Sequence, residues 1–187
     1  MAPGLPDEAI GGWEIEFVSH ERSCKEAVLW SPALRPRRAT LLATERHELE
    51  TGQPEGLTEP FEGCWLHEPD PAAIRARALG PLCAELGALP FSREIAYLIG
   101  AQRASSVWAQ SFQIQRIQKV DWKTISRSLH ALGFASLEIK KRGFPLEPEE
   151  VRRKLKLPKG KGAGVLFLTR DENKHLALLG IRAPAGE

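Results

Sequence analysis

Three consecutive cations, Lys140-Lys141-Arg142, close the run Ser136-Leu-Glu-Ile, and Gly143 follows them. Soon after come Arg152, Arg153, Lys156, Lys159 and Lys161. Ammonium and guanidinium groups at that density suit the neutralisation of a polyanion. Each cation beside a phosphate releases condensed counterions, so binding is salt-dependent and weakly sequence-specific. A structural account exists for part of this charge. Glu149 and Glu150 early and Arg152 and Arg153 late match a helix dipole, worth about 0.3–1 kcal/mol per surface charge. That account reaches neither Lys140, Lys141 and Arg142 nor Lys156, Lys159 and Lys161.

Other chemistries are poorly represented. Cys64-x-x-His67 has ligand spacing, but one pair is half a zinc site and no second pair completes it. His20, His47, His130 and His175 stand alone in the sequence and read as surface or structural residues. No G-x-S-x-G elbow and no G-x-x-x-x-G-K-[ST] phosphate loop occurs. Lys159-Gly-Lys-Gly-Ala-Gly164 looks like a phosphate cradle only superficially, because strand character follows it; it reads as a flexible basic loop. A Rossmann glycine turn between a strand and a helix is also missing, so neither a catalytic nor a cofactor-binding residue is assigned. The three cysteines are odd in number and widely spaced, which points to reduced thiols and a cytoplasmic setting. No apolar run is long enough for a membrane span, and the N-terminus does not read as a secretory signal.

The net charge of +2 hides an asymmetry: residues 1–100 carry −7 and residues 101–187 carry +9. This predicts an acidic part joined to a basic module. In the acidic part, Trp13–Val18 alternates as a strand should, His20–Ser23 reads as a turn, and Ala27–Trp30 and Ala39–Ala43 read as further strands. Prolines make Ser31–Pro36 a loop. The series suggests a short antiparallel set with exposed apolar residues such as Trp13 and Trp30. Residues 50–70 read as a connector. Asp70-Pro71 then starts a linker helix with a break expected at Gly80-Pro81. Arg93–Ile99 is undecided between strand and helix.

In the basic module, Gln110–Val120 reads as a strand with an irregularity near Ile117. Asp121 caps a helix in which Trp122, Ile125, Leu129 and Leu132 share a face, and Gly133 stops it. Leu137 and Ile139 mark the inward side of the next strand, and Glu147-Pro148 begins a second helix. Val165–Thr169 and His175–Ile181 form a hairpin. The fold class is α+β, with a C-terminal β-α-β-α-β-β module. Candidate contacts for a polyanion are Lys119, Lys123, Arg127, Lys140, Lys141, Arg142, Arg152, Arg153, Lys156, Lys159 and Lys161.

Leu137–Gly143, Glu149–Leu155 and Val165–Arg170 resemble the THUMP-like domain of a family of bacterial class I S-adenosylmethionine-dependent methyltransferases. His67–Ala76 is similar to that family's linker helix. Glu16–Ser19, Lys25–Trp30 and Arg37–Leu42 are similar to the last strands of its methyltransferase domain. The resemblance implies three segments: residues 1–48 as a remnant of Rossmann-type strands, 49–100 as connector and linker helix, and 101–187 as the THUMP-like domain. It also implies RNA, tRNA or rRNA, as partner and S-adenosylmethionine as the cofactor of the full-length family. The glycine turn that would bind this cofactor is expected before residue 1, and Met1–Leu5 looks like the segment after a core strand. The chain is therefore expected to be a docking module without catalysis of its own. The alternatives are a half that works with a separate cofactor-binding chain, and a degenerate fragment.

Overall fold

Sequence periodicity is converted into eleven strands and four helices among the residues described by this computed structural model, 10–31, 37–171 and 174–184. Met1–Leu5 and most of Ser31–Pro36 lie outside them. The chain divides into two compact units. One comprises Met1–Gly56, Glu68–Leu89 and Ala104–Gln110; the other comprises Leu57–His67, Pro90–Arg103 and Ser111–Glu187.

In the first unit, the alternation at Trp13–Val18 becomes β1 (Glu14–His20), joined to β2 (Ser23–Trp30) by a tight turn at Glu21 and Arg22. Both turn residues have positive φ, 49° and 57°, the twist that hairpin turns require. The Arg22 Nη2 donates to the Glu68 carbonyl at 2.9 Å, which anchors the turn. β3 (Arg38–Leu42) and β4 (Arg46–Glu50) form a second antiparallel pair, and the sheet order is β2-β1-β3-β4. The central pairing departs from the expected antiparallel set. β3 lies beside β1 and runs parallel to it, with Glu16 opposite Arg38. The chain leaves the sheet edge at β2 and re-enters beyond β1; a strand reversed relative to β2 is necessarily parallel to β1.

Helix α1 (Pro71–Arg75) packs on this sheet. Asp70 caps it as expected, its side chain accepting from the Ala72 N–H at 2.9 Å. The expected break falls earlier than Gly80-Pro81. Arg77 at φ 55° ends the first helix, and α2 (Leu79–Leu86) carries Gly80 and Pro81 in its first turn. Proline is tolerated there because first-turn N–H groups have no partner within the helix.

The connector read at 50–70 holds a strand, β5 (Trp65–Pro69), which pairs with β7 (Leu98–Gly100); β6 (Ala88–Pro90) is the edge beyond. The ambiguous segment at Arg93–Ile99 thus ends in a strand. With only five residues and no β-branched side chain, β5 had too little alternation to be legible; sheet pairing defines it. The sheet continues through β8 (Ala109–Lys119), β11 (Lys174–Arg182), β10 (Gly162–Asp171) and β9 (Phe134–Lys141), in the order β6-β7-β5-β8-β11-β10-β9. Helices α3 (Trp122–Ala131) and α4 (Pro148–Lys154) follow β8 and β9, giving the expected β-α-β-α-β-β order.

β10 is apolar at Val165, Leu166, Phe167 and Leu168 in succession because both its faces are buried. Leu166 and Leu168 join Ile125, Leu129 and Val151 under the helices. Val165 and Phe167 join Phe112, Ile114 and Tyr97 on the other side. Phe112 and Ile114 face this second cluster, as does Ile117, three residues on. A bulge at Gln115 permits this by adding one residue to β8, so the irregularity lies two residues before Ile117.

Candidate nucleic-acid interface

Asp121 fixes the start of α3: its Oδ1 accepts from the Thr124 N–H at 2.7 Å. Hydrogen bonds from the Thr124 side chain and backbone, helped by the nearby charges of Arg127 and Lys123, hold its carboxyl below the usual range. Ile125 and Leu129 are buried, which turns Lys123 and Arg127 outward. α4 is set by a capping box, in which Glu147 and Glu150 satisfy each other's backbone N–H groups. Val151 is its buried residue, so Arg152, Arg153 and Lys154 are exposed. Past α4, the Lys156 N–H donates to the Ser126 Oγ at 3.1 Å, tying its exit to α3.

This tie creates a groove of about 520 Å³. Trp122, Ser126 and His130, spaced four apart along α3, line it with Lys123 and Arg127, while Lys154 at the end of α4 and Lys156 just past it close the other side. Among the described residues, no carboxylate lines it. Thus Lys123, Arg127 and Lys156, three of the expected contacts, are brought together. Lys154, Trp122, Ser126 and His130 join them and were missed. Helical periodicity alone assigns Trp122 to the core face; its four-residue spacing with Ser126 and His130 is the signal that also places it in the groove.

The strand triplet behaves differently. Lys140 is mostly covered; it pairs with Glu138 at 3.1 Å and lies 5.5 Å from the Phe112 ring centre. Arg142 sits 5.0 Å from the ring centre of buried Tyr97. Lys141, on the opposite face, bonds Glu147 Oε1 at 2.5 Å. Strand alternation sends neighbours to opposite sides, so three adjacent cations cannot form one patch. Burial opposes charge on Glu138, but hydrogen bonds from Arg182 and Lys140 outweigh it, and its pKa is lowered. Lys119, Lys159 and Lys161 are exposed, and none of them lines the groove, nor do Arg152 and Arg153.

Cys64 and His67 do not converge. Cys64 joins Leu66 in the core, whereas buried His67 meets Ser111 Oγ through Nδ1 at 2.8 Å. Burial lowers the His67 pKa to about 4. Cys24, Cys64 and Cys83 are free and buried; burial raises all three thiols, Cys83 to about 11. Among the described residues, no group of three or more side chains could hold a metal, and no helix is long and apolar enough to cross a membrane.

The family described as THUMP domain-like matches residues 109–182, which span β8 to β11. These residues form a THUMP-like domain. The groove and the strand triplet both lie within it. Two proteins of Mycobacterium tuberculosis, from strains CDC 1551 / Oshkosh and ATCC 25618 / H37Rv, carry the name uncharacterized S-adenosylmethionine-dependent methyltransferase. Each is 31% identical over 170 residues, covering 83% of this chain but 45% of the relative, so the chain spans about half their length. A crystal structure from Porphyromonas gingivalis W83, of a protein proposed to be a methyltransferase, aligns with a TM-score of 0.68 at 19% identity. It covers 92% of this chain and 46% of that one, so the fold outside the THUMP-like domain is shared as well.

Proposed function

We propose that the THUMP-like domain docks RNA for an S-adenosylmethionine-dependent methyltransferase. The observation that carries this is the convergence of Lys123, Arg127, Lys154 and Lys156 on one groove that, among the described residues, no carboxylate lines. Cations at that density favour phosphates and make affinity fall with salt. The other expected contacts, Lys119, Arg152, Arg153, Lys159 and Lys161, extend the exposed positive charge. Lys140, Lys141 and Arg142 contribute to the field around it more than to direct contact. The methyltransferase assignment rests on the relatives. In this reading the S-adenosylmethionine site is supplied by residues outside these 187, in the same protein or a separate chain. The test is binding of bulk tRNA and of rRNA fragments at low salt. Lys123→Glu with Arg127→Glu and Lys156→Glu is expected to weaken binding at least tenfold, and unchanged affinity would end the proposal.

A further inference from the structure

We infer that the α3–α4 groove takes an unpaired nucleotide of the RNA, its base against Trp122 and its phosphates on Lys123, Arg127 and Lys156. This rests on the RNA-docking reading above and adds what that reading leaves open: whether the domain meets paired or unpaired RNA.

Trp122 carries the argument. It is half-buried and lines the groove, and the edge-to-face contact with Phe144, at 6.3 Å and 81°, holds its ring in place. The groove therefore has a fixed aromatic surface flanked by cations. Stacking platforms beside phosphate-binding cations are how proteins hold single strands, since every base has a π-face. A duplex keeps its bases stacked inside and offers the protein chiefly phosphates and 2′-hydroxyls. An indole has no partner there. At about 520 Å³ the groove falls within the roughly 300–1,000 Å³ typical of sites for small molecules. Polar groups able to meet a base edge are also present. Ser126 Oγ accepts from the Lys156 N–H and keeps its own proton to donate, and His130 stands along the same line of α3.

A second open cavity on the same domain, about 530 Å³ and bordered by Lys141, Phe144, Arg170 and His175, makes the contrast. There Lys141 is paired with Glu147 and Arg170 with Glu94. Its charge is already met within the protein, which leaves the α3–α4 groove as the better phosphate site.

The experiment compares a single-stranded adenine nonamer of RNA with a nine-base-pair RNA duplex, using the full chain at fixed low salt. The single strand is expected to bind more tightly and to quench indole emission. Trp122→Ala should cost roughly tenfold or more for the single strand and little for the duplex, the magnitude of a lost stacking platform. Because Trp122 also packs on Phe144, Trp122→Phe serves as the fold-preserving variant: it should retain most affinity and lose the quenching. Equal binding of both RNAs with unchanged affinity in Trp122→Ala would overturn the inference while leaving RNA docking standing. Quenching that persists in Trp122→Phe would overturn it too. Failure of either RNA, and of bulk tRNA, to bind would remove the RNA reading itself.

Discussion

The Arg38 guanidinium reaches Glu16 Oε2 at 2.9 Å across adjacent parallel strands, and both side chains are almost wholly buried. Trp30 Nε1 donates to the same oxygen at 2.9 Å, and Thr40 donates to the other. The bond explains why Trp30, expected to be exposed, is half-buried, while Trp13 remains 51% exposed. Removing one member of a buried pair strands the other charge, at about 3–5 kcal/mol. Arg38→Ala is therefore expected to lower stability by that order, measured by urea unfolding. A change under about 1 kcal/mol would mean that water replaces the guanidinium.

Acid should reveal the same site. Burial disfavours charge on Glu16, but hydrogen bonds from Thr40 and Trp30 and the charges of Arg38 and Arg46 prevail, and its pKa is lowered. A depressed carboxyl binds protons more weakly in the folded state than in the unfolded one. Its contribution is therefore complete above the ordinary glutamate pKa, about 4.3, and is lost as pH falls through the folded value. Unfolding midpoints of the wild-type protein should drop below about pH 4 more steeply than those of Glu16→Gln. Parallel profiles would place the acid sensitivity elsewhere.

Gly164 lies against the Phe134 ring, where an added Cβ would sit 2.1 Å from a ring carbon. Gly164→Ala should destabilise by about 1–3 kcal/mol through overpacking. Phe134→Leu in the same chain should recover part of the loss, because the two sites share one volume. Additive melting shifts in the double variant would show that the crowding is relieved some other way.

The two sets of cations should separate in experiment. Lys141→Glu would set a carboxylate against Glu147, at the cap of α4, and should lower the melting temperature. Lys123→Glu, on the exposed side of α3, should leave it within a degree or two while weakening RNA binding. Arg127→Glu with Lys156→Glu should also flatten the salt dependence, by about 0.7 per lost phosphate contact on a single strand. Equal melting shifts for Lys141→Glu and Lys123→Glu would contradict the pairing described for Lys141.

Titration calorimetry with S-adenosylmethionine tests where the cofactor site lies. The chain is expected to release no binding heat alone, and saturable heat would return a cofactor site to these residues.

Local chemistry decided much of this protein directly from sequence. Asp70 and Asp121 could be read as caps because a short carboxylate before a helical run has few other uses, and Glu147 because proline follows it. The alternating and continuous apolar runs gave the strand–helix order of the THUMP-like domain, and the charge count placed its positive half. Tertiary structure decided which of those charges remain available. Net charge follows from composition alone, whereas neutralisation depends on which acid comes within reach. β9 alternation and the α4 cap bring Glu138 and Glu147 to Lys140 and Lys141. The parallel β1–β3 pairing depends in the same way on where the chain re-enters the sheet. The groove itself joins Ser126 to Lys156, thirty residues apart, through one hydrogen bond. No local pattern encodes that approach, since it arises only when α3 and α4 bury their apolar sides on the same sheet.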